Sequence, residues 1–457
     1  MEIDLKKFKN IYMIGIGGIS MSGIAEILVK WNYKVSGSNN TESSQTDWLE
    51  KNGVKVNIGH DAKNITKNID LVVYTAAIHD DNPEIIRAKE LGIPTVERGL
   101  FLGEITKLFK DTIGIAGTHG KTTTTSMVAL SFLEAKLDPS IQVGAVLSNI
   151  DGNYRVGKSD YFIIEACEYC ESYLNFKQKS AIVLNIDDDH LDYFGNIENI
   201  QKSFEKYVSH LPKDGFLILN ADDERCYSLR LSTNANVITF GSGEFADWWY
   251  EDLEFDEEGY PSYSAYYKGI NKGTIKLNIT GVHNVMNSLA CIALCDAYGI
   301  DINIVTKALL KFNGASRRLE FKGIFNGARV YDDYGHHPTE IMATVRGLKN
   351  KKYNESWVVF EAHTYSRFAE HLKEFANALV NFDHVIIMDT YAAREINTYN
   401  VHEEDLMEEL KKLGKDSIHI SDYNEIVKYL KNNVKEKDVI LTLGAGNVTQ
   451  IASLLTK

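Results

Sequence analysis

The chain has 457 residues, of which 44% are hydrophobic and 25% are charged, and its formal net charge is −14. This length suggests three domains, and the acidic excess excludes a nucleic-acid-binding surface, which requires a basic face. Because there is no apolar run of about 18 residues, no signal-peptide core and an odd set of 5 cysteines, we expect a cytoplasmic protein that spans no membrane.

A first glycine turn, at residues 15–20, lies between a predicted strand at 11–16 and a predicted helix at 21–31. It differs from the dinucleotide fingerprint because Ser20 replaces the third glycine and no acidic residue follows the second strand, at 33–35. A nicotinamide cofactor is therefore disfavoured, whereas another phosphate-bearing ligand is compatible. Further strands at 54–58 and 71–75 predict an alternating β/α domain with a mostly parallel sheet, ending near Lys110.

A second glycine turn, at residues 117–120, follows a buried strand at 112–116 and precedes a helix that begins at Lys121. Backbone N–H groups, the helix N-terminus and the lysine together favour phosphate binding, and the Thr122 hydroxyl could bind Mg²⁺. The turn is shorter than an ordinary P-loop, since Ile115 occupies the place of the first glycine. A plain turn before a helix would leave the four threonines at 122–125, which are poor helix formers, unexplained.

Two more strands of this region end in acidic residues. Glu165 ends an apolar strand at 161–164, which is the usual position of a second Mg²⁺ anchor. The strand predicted at 181–186 runs into a cluster of acids with His190, a better candidate ligand than any one aspartate, although a solvated turn would also fit. Cys167 and Cys170 are predicted to be free thiols, because no second pair completes a zinc site.

The rest of the chain predicts antiparallel strands at 250–280, a helix opening at 281–287, and a further α/β domain with strands at 329–331, 357–360, 384–388 and 439–443. Asparagines in that helix could bind a base edge or a loop. Arginines at 317–318, the stretch 332–338 and the stretch 363–367 lie near strand ends, where open parallel sheets bind ligands. The paired histidines before Pro338 could alternatively cap the next helix.

Taken together, these motifs resemble those of the Mur ligases, in family order and over nearly the whole chain. The matching stretches are GIGGISMSGIAEIL, GTHGKTTTTSM, EACEYCESYL, NIDDDHLDYF, GVHNVMNSLA, NGASRRLE, YDDYGHHPTEI, HTYSR, YAAREI and LTLGAGN. The resemblance implies an α/β protein of three domains: a Rossmann-like UDP-sugar-binding domain at 1–110, a central P-loop ATPase-type domain at 111–313, and a C-terminal Rossmann-like domain at 314–457 that contributes to ATP and amino-acid binding.

The resemblance further implies the activity of the alanine-adding members of the family. ATP would phosphorylate the lactyl carboxylate of UDP-N-acetylmuramate, and the amine of L-alanine would attack the acyl phosphate to give an amide, ADP and phosphate. This is the first peptide-stem step of peptidoglycan biosynthesis. The implied cofactors are ATP and two Mg²⁺ ions, for which Mn²⁺ could substitute, and the implied state is a monomer or weak homodimer without nucleic-acid or membrane partners.

The resemblance also implies residue roles. The UDP-sugar-binding residues would be Gly15, Gly17, Gly18, Ile19, Ser20, Met21, Ser22, Ser36, Ser38 and His60. ATP would be bound by Gly117, Thr118, His119, Gly120, Lys121, Thr122, Thr123, Asn284, Asn287, Arg318 and Asp333. Metal would be held by Thr122, Glu165 and His190, and the amino acid by Tyr334, His336, His363 and Arg367. The catalytic residues would be Lys121, His190, His336 and Arg367, with His336 a candidate proton acceptor.

Some positions depart from the family pattern. Thr364 stands where some members have arginine, and Asn39 replaces a common aspartate. No secure equivalent of the carbamylated lysine of later-acting ligases is identified, although Glu205 and Lys206 are nearby. The alternatives are a related ligase for a peptide or glutamate, an NAD-dependent oxidoreductase, and a nucleotide-binding switch without ligase chemistry. The related ligase that recycles murein tripeptides shares the motifs of the first two domains, but its last domain lacks the H-x-Y-S-R stretch.

Overall fold

The computed structural model describes residues 4–75, 77–150, 152–256, 259–314, 317–349, 351–393 and 395–456. The motif residues Ala76, Ala315, Ser316 and Arg394 lie outside these ranges. The chain forms two compact units: residues 1–251, 264–273 and 286–311 in the first, and residues 252–263, 274–285 and 312–457 in the second.

The N-terminal sheet has 5 strands in the order β3-β2-β1-β4-β5, and all its neighbouring strands are parallel. Its strands are β1 (Asn10–Ile14), β2 (Lys34–Asn39), β3 (Lys55–Ile58), β4 (Leu71–Tyr74) and β5 (Thr95–Glu97). Its helices are α1 (Ile19–Lys30), α2 (Ser44–Lys51), α3 (Pro83–Glu90) and α4 (Arg98–Thr106). The predicted alternating, parallel domain is therefore confirmed, and the side chain of Asn82 caps α3 as its sequence indicates.

The central sheet has 10 strands in the order β15-β14-β13-β12-β11-β10-β6-β9-β7-β8. Its strands are β6 (Asp111–Ala116), β7 (Ser140–Leu147), β8 (Gly152–Arg155), β9 (Tyr161–Glu165), β10 (Ser180–Val183), β11 (Phe216–Asn220), β12 (Asn236–Phe240), β13 (Trp248–Phe255), β14 (Pro261–Tyr267) and β15 (Ile270–Lys276). Its helices are α5 (Lys121–Glu134), α6 (Leu191–Phe194), α7 (Ile197–Ser209), α8 (Glu224–Ser228), α9 (Val282–Ala297) and α10 (Ile302–Lys311). Parallel pairing of β6 with both β9 and β10 brings three carboxyl ends to one edge.

The C-terminal sheet has 6 strands in the order β16-β17-β21-β18-β19-β20, with β16 antiparallel and the other pairs parallel. Its strands are β16 (Glu320–Phe325), β17 (Ala328–Asp333), β18 (Ser356–Phe360), β19 (His384–Ile387), β20 (Ser417–His419) and β21 (Val439–Leu443). Its helices are α11 (Pro338–Lys349), α12 (Tyr365–Glu370), α13 (Leu372–Leu379), α14 (Glu403–Lys412), α15 (Tyr423–Asn433) and α16 (Thr449–Leu455). The carboxyl ends of β17, β21 and β18 are neighbours.

Some elements differ from their prediction for reasons of packing. Helix α5 is buried all round: every residue from Thr122 to Phe132 is buried, the threonines included. Strand β10 ends at Val183, earlier than predicted, so residues 184–190 are a loop. Strands β5, β7, β8, β12, β16 and β20 were not predicted from the sequence. Of these, the edge strands β16 and β20 have few inward-facing residues, which gives a weak pattern. Among the described residues, no helix has the length and apolar character needed to cross a bilayer.

Candidate functional site

The turn between β6 and α5, called here the glycine loop (Gly117–Gly120), needs its glycines for backbone conformation. Gly117 has φ +128° and Gly120 has φ +85°, in the region that side chains disfavour. A Cβ on Gly120 would lie 2.7 Å from the Asn287 amide oxygen, so the loop packs directly against α9. The N–H groups of the first turn of α5 have no partner within the helix, which favours an anion there.

The glycine loop is also bonded to the loop after β10. Thr118 and His119 donate their backbone N–H groups to Asn185, over 3.1 and 2.7 Å, and the Thr118 hydroxyl accepts from the Asp187 N–H over 2.9 Å. These two loop N–H groups are therefore engaged within the protein, so an incoming phosphate would rely on Gly120, Lys121 and the residues that follow.

Lys121, the first residue of α5, carries a nearly buried ammonium. Its Nζ donates to the carbonyls of Gly117 and Thr118, over 2.6 and 2.9 Å, and to both carboxylate oxygens of Glu168, over 3.1 and 2.9 Å. Burial by itself lowers the pKa of Lys121, but the carboxylates of Glu168 and Glu165 outweigh burial and raise it above its ordinary value. The lysine is therefore charged at neutral pH.

Thr122 and Glu165, each predicted from the sequence as a Mg²⁺ ligand, lie together in the structure. The Thr122 hydroxyl, in the first turn of α5, lies 3.1 and 3.0 Å from the two carboxylate oxygens of Glu165, the last residue of β9. Gly144 donates its backbone N–H to the same carboxylate over 2.7 Å. The pair presents oxygen atoms beside a buried cation at the helix N-terminus.

His190 lies in the loop after β10, in a left-handed conformation with φ +55°, and precedes α6. Its ring centroid is 4.7 Å from that of Tyr169, and its Nε2 is 3.8 Å from the Asp189 carboxylate. In the same loop, the Asp187 carboxylate lies 3.2 Å from His119 Nε2. The acidic cluster thus contacts the glycine loop and is not merely a solvated turn.

The first glycine turn of the chain is braced by side chains from other elements. Gly15 has φ +79°, and the Gly17 N–H donates to Asn39 Oδ1 over 3.2 Å. The Ser20 hydroxyl accepts from Arg98 over 3.0 Å, and the Ser20 carbonyl accepts from the Tyr154 hydroxyl over 3.1 Å. Asn39, noted as a departure from the family pattern, therefore holds the turn.

Two predicted UDP-sugar residues, Ser38 and His60, meet on a third residue that the sequence analysis missed. The Ser38 hydroxyl and His60 Nδ1 lie 2.6 and 2.9 Å from the carboxylate of Glu84, which is completely buried. Ser38 is also completely buried, whereas 13% of the His60 side chain is exposed. Ser38 is therefore shielded from direct contact with a ligand, and His60 is the exposed member of the pair.

In the second unit, the arginines before β16 contact the ends of strands β17 and β21. Arg317 Nε lies 3.3 Å from the buried carboxylate of Asp332, and its guanidinium also donates to the Gly444 carbonyl. Arg318 lies 3.5 Å from Glu340, and both guanidinium groups stack near the Tyr334 ring, at 4.9 and 5.7 Å. This network ties together stretches 317–318, 332–340 and 444–445.

Asp333 ends β17 and is held by backbone donors. It accepts N–H bonds from Leu319 and Gly335, each over 2.7 Å, and is only 5% exposed. Burial raises the pKa of Asp333 to about 6, although Arg318 and the two N–H donors act in the opposite direction. Asn284 of α9, in the same unit, donates to the Thr280 carbonyl over 2.7 Å, which is the loop contact that the sequence left open.

The histidines of the second unit have separate tasks. His336 Nδ1 lies 3.1 Å from the Tyr334 carbonyl, which can only accept, so that nitrogen carries a proton. His337 Nδ1 accepts the Thr339 N–H over 3.3 Å, so this histidine does cap α11. The rings of His336 and His363 are 5.6 Å apart. Of the adjacent histidines His336 and His337, only His336 therefore remains a candidate for chemistry.

His363 lies two residues before α12, and Arg367 lies in the first turn of that helix. Arg367 approaches the ring nitrogen and the carbonyl of His363, at 3.4 Å in each case. Burial first, then His336 and Arg367, lower the pKa of His363 to about 4, so it is neutral at physiological pH. Between them Thr364 has φ +67°, a strained backbone for a β-branched residue and a common feature of ligand sites.

Comparison with known proteins identifies the family. Three family models match in succession: the catalytic domain of the Mur ligase family at residues 10–110, the Mur ligase middle domain at 115–295, and the glutamate ligase domain of Mur ligases at 317–446. A UDP-N-acetylmuramate–L-alanine ligase of Acetivibrio thermocellus is 45% identical over 456 residues, which is 100% of this chain and 97% of that protein. The chain belongs to the Mur ligase family.

Other Mur ligases agree with this assignment. A UDP-N-acetylmuramate–L-alanine ligase of Caldanaerobacter subterraneus subsp. tengcongensis is 46% identical, over 99% of this chain and 98% of that protein. The crystal structure of the UDP-N-acetylmuramate–alanine ligase of Thermotoga maritima superposes with a TM-score of 0.84 and 30% identity, covering 98% of each chain. A murein peptide ligase of Psychrobacter arcticus, at 24% identity and a TM-score of 0.72 over 98% of each chain, shares the fold. The three-domain α/β fold is thus confirmed, while the boundaries at 110 and 313 stay predictions.

The sequence analysis of this Mur ligase missed three residues that support its predicted sites. Glu168 follows Glu165 by three positions in E-A-C-E, and this spacing was the available signal for a second carboxylate near the lysine. Glu84 comes directly after Asn82-Pro83 and resembles an ordinary acid in a first helical turn. Nothing in the local sequence indicated a role for Arg98, because its contact with Ser20 spans 78 positions.

Proposed function

We propose that this Mur ligase joins L-alanine to the lactyl carboxylate of UDP-N-acetylmuramate at the expense of ATP, releasing ADP and phosphate. The proposal is supported by full-length relatives at 45–46% identity that carry this activity in their names. The reaction would be the first addition of an amino acid to the peptide stem of peptidoglycan, and it would take place in the cytoplasm on a monomer or weak homodimer.

One structural observation carries the proposal: a buried ammonium, a threonine hydroxyl and a carboxylate converge at the N-terminus of α5. Lys121 and Thr122 are consecutive, and Glu165 lies 3.0 Å from the Thr122 hydroxyl. A carboxylate and a triphosphate repel each other, so their reaction requires fixed positive charge between them. The glycine loop with Lys121 supplies that charge where the helix N-terminus already favours an anion.

The donor set at this place fits a divalent cation. Mg²⁺ prefers oxygen ligands and keeps several waters, and Thr122 and Glu165 offer oxygens from two rigid elements. We assign the first ion to these two residues and a second ion to His190, with Mn²⁺ able to replace Mg²⁺. When bound, such ions neutralise phosphate and acyl oxygens.

The contact between Lys121 and Glu168 defines the task proposed for the lysine. Glu168 holds the ammonium with both oxygens, and the loop carbonyls of Gly117 and Thr118 complete its shell. When ATP binds, the ammonium exchanges part of this shell for phosphate oxygens while Glu168 keeps it oriented. The remaining implied ATP contacts, His119, Thr123, Asn284, Asn287, Arg318 and Asp333, are proposed to bind the rest of the nucleotide.

The amino acid is assigned to Tyr334, His336, His363 and Arg367. Arg367 is the cationic group for the alanine carboxylate, and Thr364, which has no charge, cannot share that role. His336 holds its proton at Nδ1, so its Nε2 is the atom that would accept a proton from the attacking ammonium. Neutral His363, 5.6 Å away between ring centroids, avoids adding a second positive charge.

The purified protein tests the proposal with ATP, Mg²⁺, UDP-N-acetylmuramate and a panel of acceptors: L-alanine, glycine, L-serine, D-glutamate and a murein tripeptide. We expect ADP release that depends on both the nucleotide sugar and L-alanine, and mass spectrometry should find the amide product. Turnover with the tripeptide or glutamate alone would identify a different ligase. ADP release without the nucleotide sugar would indicate a nucleotide-binding switch.

A further inference from the structure

Glu84, in the first turn of α3, is a completely buried carboxylate that receives four side-chain donors. Its Oε1 accepts from the Tyr12 hydroxyl and the Asn64 amide, each over 2.8 Å. Its Oε2 accepts from the Ser38 hydroxyl over 2.6 Å and lies 2.9 Å from His60 Nδ1. The donors come from β1, β2 and the segment after β3, so one side chain joins three neighbouring parts of the domain.

This arrangement satisfies an ionised carboxylate, which offers about four acceptor positions and no donor. The N-terminus of α3 adds favourable partial charge, and Asn82 caps the backbone N–H of Glu84 over 2.8 Å. Burial, above all, raises the pKa of Tyr12, and Glu84 adds to that shift, so the phenol stays a neutral donor.

The network fixes the tautomer of His60. Since the Ser38 hydroxyl gives its proton to Glu84, its oxygen is free to accept, and His60 Nδ1 lies 3.0 Å from it. The proton of the ring therefore lies on Nδ1, shared between Ser38 and Glu84. Nε2 makes no hydrogen bond to the residues that the structure describes, and 13% of this side chain is exposed.

We propose that Glu84 is a positioning residue of the nucleotide-sugar site: it fixes the ring orientation and tautomer of His60, which leaves Nε2 as an acceptor for the nucleoside part of uridine diphosphate, where the ribose hydroxyls and the uracil N–H are donors. The inference rests on the proposed function and on the expectation, implied by the family resemblance, that His60 and Ser38 belong to the nucleotide-sugar site. Glu84 itself touches no ligand, because it is completely buried.

A purely structural role makes a different prediction. If Glu84 only joined the strands, removing any of its donors would have a similar effect on the nucleotide. Tyr12 donates to Oε1 of Glu84, whereas His60 and Ser38 share the other oxygen, Oε2. Tyr12→Phe therefore weakens the network without touching the His60 contact, and it is the matched control for Glu84→Gln.

The test measures UDP binding by calorimetry and steady-state kinetics with UDP-N-acetylmuramate on the full-length protein. Loss of a charged hydrogen bond predicts that Glu84→Gln raises the Kd for UDP and the KM for the nucleotide sugar about tenfold or more. We expect kcat to change less than about twofold, since only binding is affected. Tyr12→Phe should change all three values less than about threefold. Equal losses in both variants, or a Kd for UDP in Glu84→Gln within about threefold of wild type, would overturn the proposal.

The tautomer is measured on the unaltered protein, which covers the case in which Glu84→Gln does not fold. Selectively ¹⁵N-labelled histidine, with the His60 signals assigned by His60→Gln, reports which ring nitrogen carries the proton. A proton on Nδ1 alone supports the proposal, and a proton on Nε2, with or without one on Nδ1, refutes it. If wild type binds UDP as expected yet forms no amide, the proposed function fails while the Glu84 inference is still decided by these two measurements.

Discussion

Replacing Lys121 by alanine tests the cation at the centre of the proposed reaction. The ammonium is 12% exposed, and its partner Glu168 is 2% exposed, so the substitution leaves a buried carboxylate without its cation. Breaking such a pair costs about 3–5 kcal/mol of unfolding free energy. The loss of a preorganised positive charge should lower kcat by at least about 10²–10³-fold. Lys121→Ala is therefore expected to be less stable and to form no measurable amide product.

The double variant Lys121→Ala/Glu168→Gln separates these two effects. It removes the unpaired carboxylate as well, so we expect urea unfolding to show that most of the lost stability is recovered, which means that the effects of the two substitutions are not additive. Ligase activity, followed by ADP release and mass spectrometry, should stay absent in both variants. Turnover of Lys121→Ala within about tenfold of wild type would refute the role given to Lys121. A double variant as unstable as the single one would refute the buried-charge argument.

The remaining predictions concern the glycine loop and the titrating groups of the second unit. Gly120→Ala places a Cβ 2.7 Å from Asn287, whereas Gly53, with nearly the same φ of +83°, has open space. Gly120→Ala and the control Gly53→Ala should each lose about 1–2 kcal/mol of unfolding free energy from backbone strain. Gly120→Ala should lose more than the control and should bind ATP more weakly in calorimetry. Equal losses of stability with unchanged ATP affinity would contradict the packing against Asn287. Burial raises the folded-state pKa of Asp333 to about 6, so its contribution to stability falls as the pH rises from about 4 to 6. Burial lowers the folded-state pKa of His363 to about 4, so its contribution to stability rises as the pH rises from about 4 to 6.5. In denaturant titrations across this window, Asp333→Asn should steepen the rise of stability with pH and His363→Gln should reduce it; a change of slope in the same direction for both would disprove these assignments.

The strand ends were predictable because short-range patterns determine them. A buried apolar run followed by Glu165, or by the glycines before Lys121, indicates the end of a parallel strand without any long-range information. The sequence also placed Thr122 and Glu165 on elements whose ends meet at one sheet edge, and the structure brings their side chains to 3.0 Å. The extra strands β16 and β20 escaped prediction, since edge strands bury few side chains and leave little periodicity.

The partners of the site residues were not predictable in this way. Glu168 and Glu84 are acids at ordinary sequence positions, and nothing local distinguishes a solvated carboxylate from a buried one. Their roles follow from contacts across 47 positions, to Lys121, and across 72 positions, to Tyr12. The same holds for His337, for which the sequence left both helix capping and chemistry open, and the contact with Thr339 favours capping.

The amino-acid order alone determined the family, the alternation of strands and helices, and the residue types at each strand end, because these depend on neighbours a few positions away. The tertiary structure alone decided which charges are buried, which nitrogen of a histidine holds the proton, and which carboxylate holds Lys121. Those properties depend on desolvation and on donors from distant segments, and both exist only after the sheets have formed and packed.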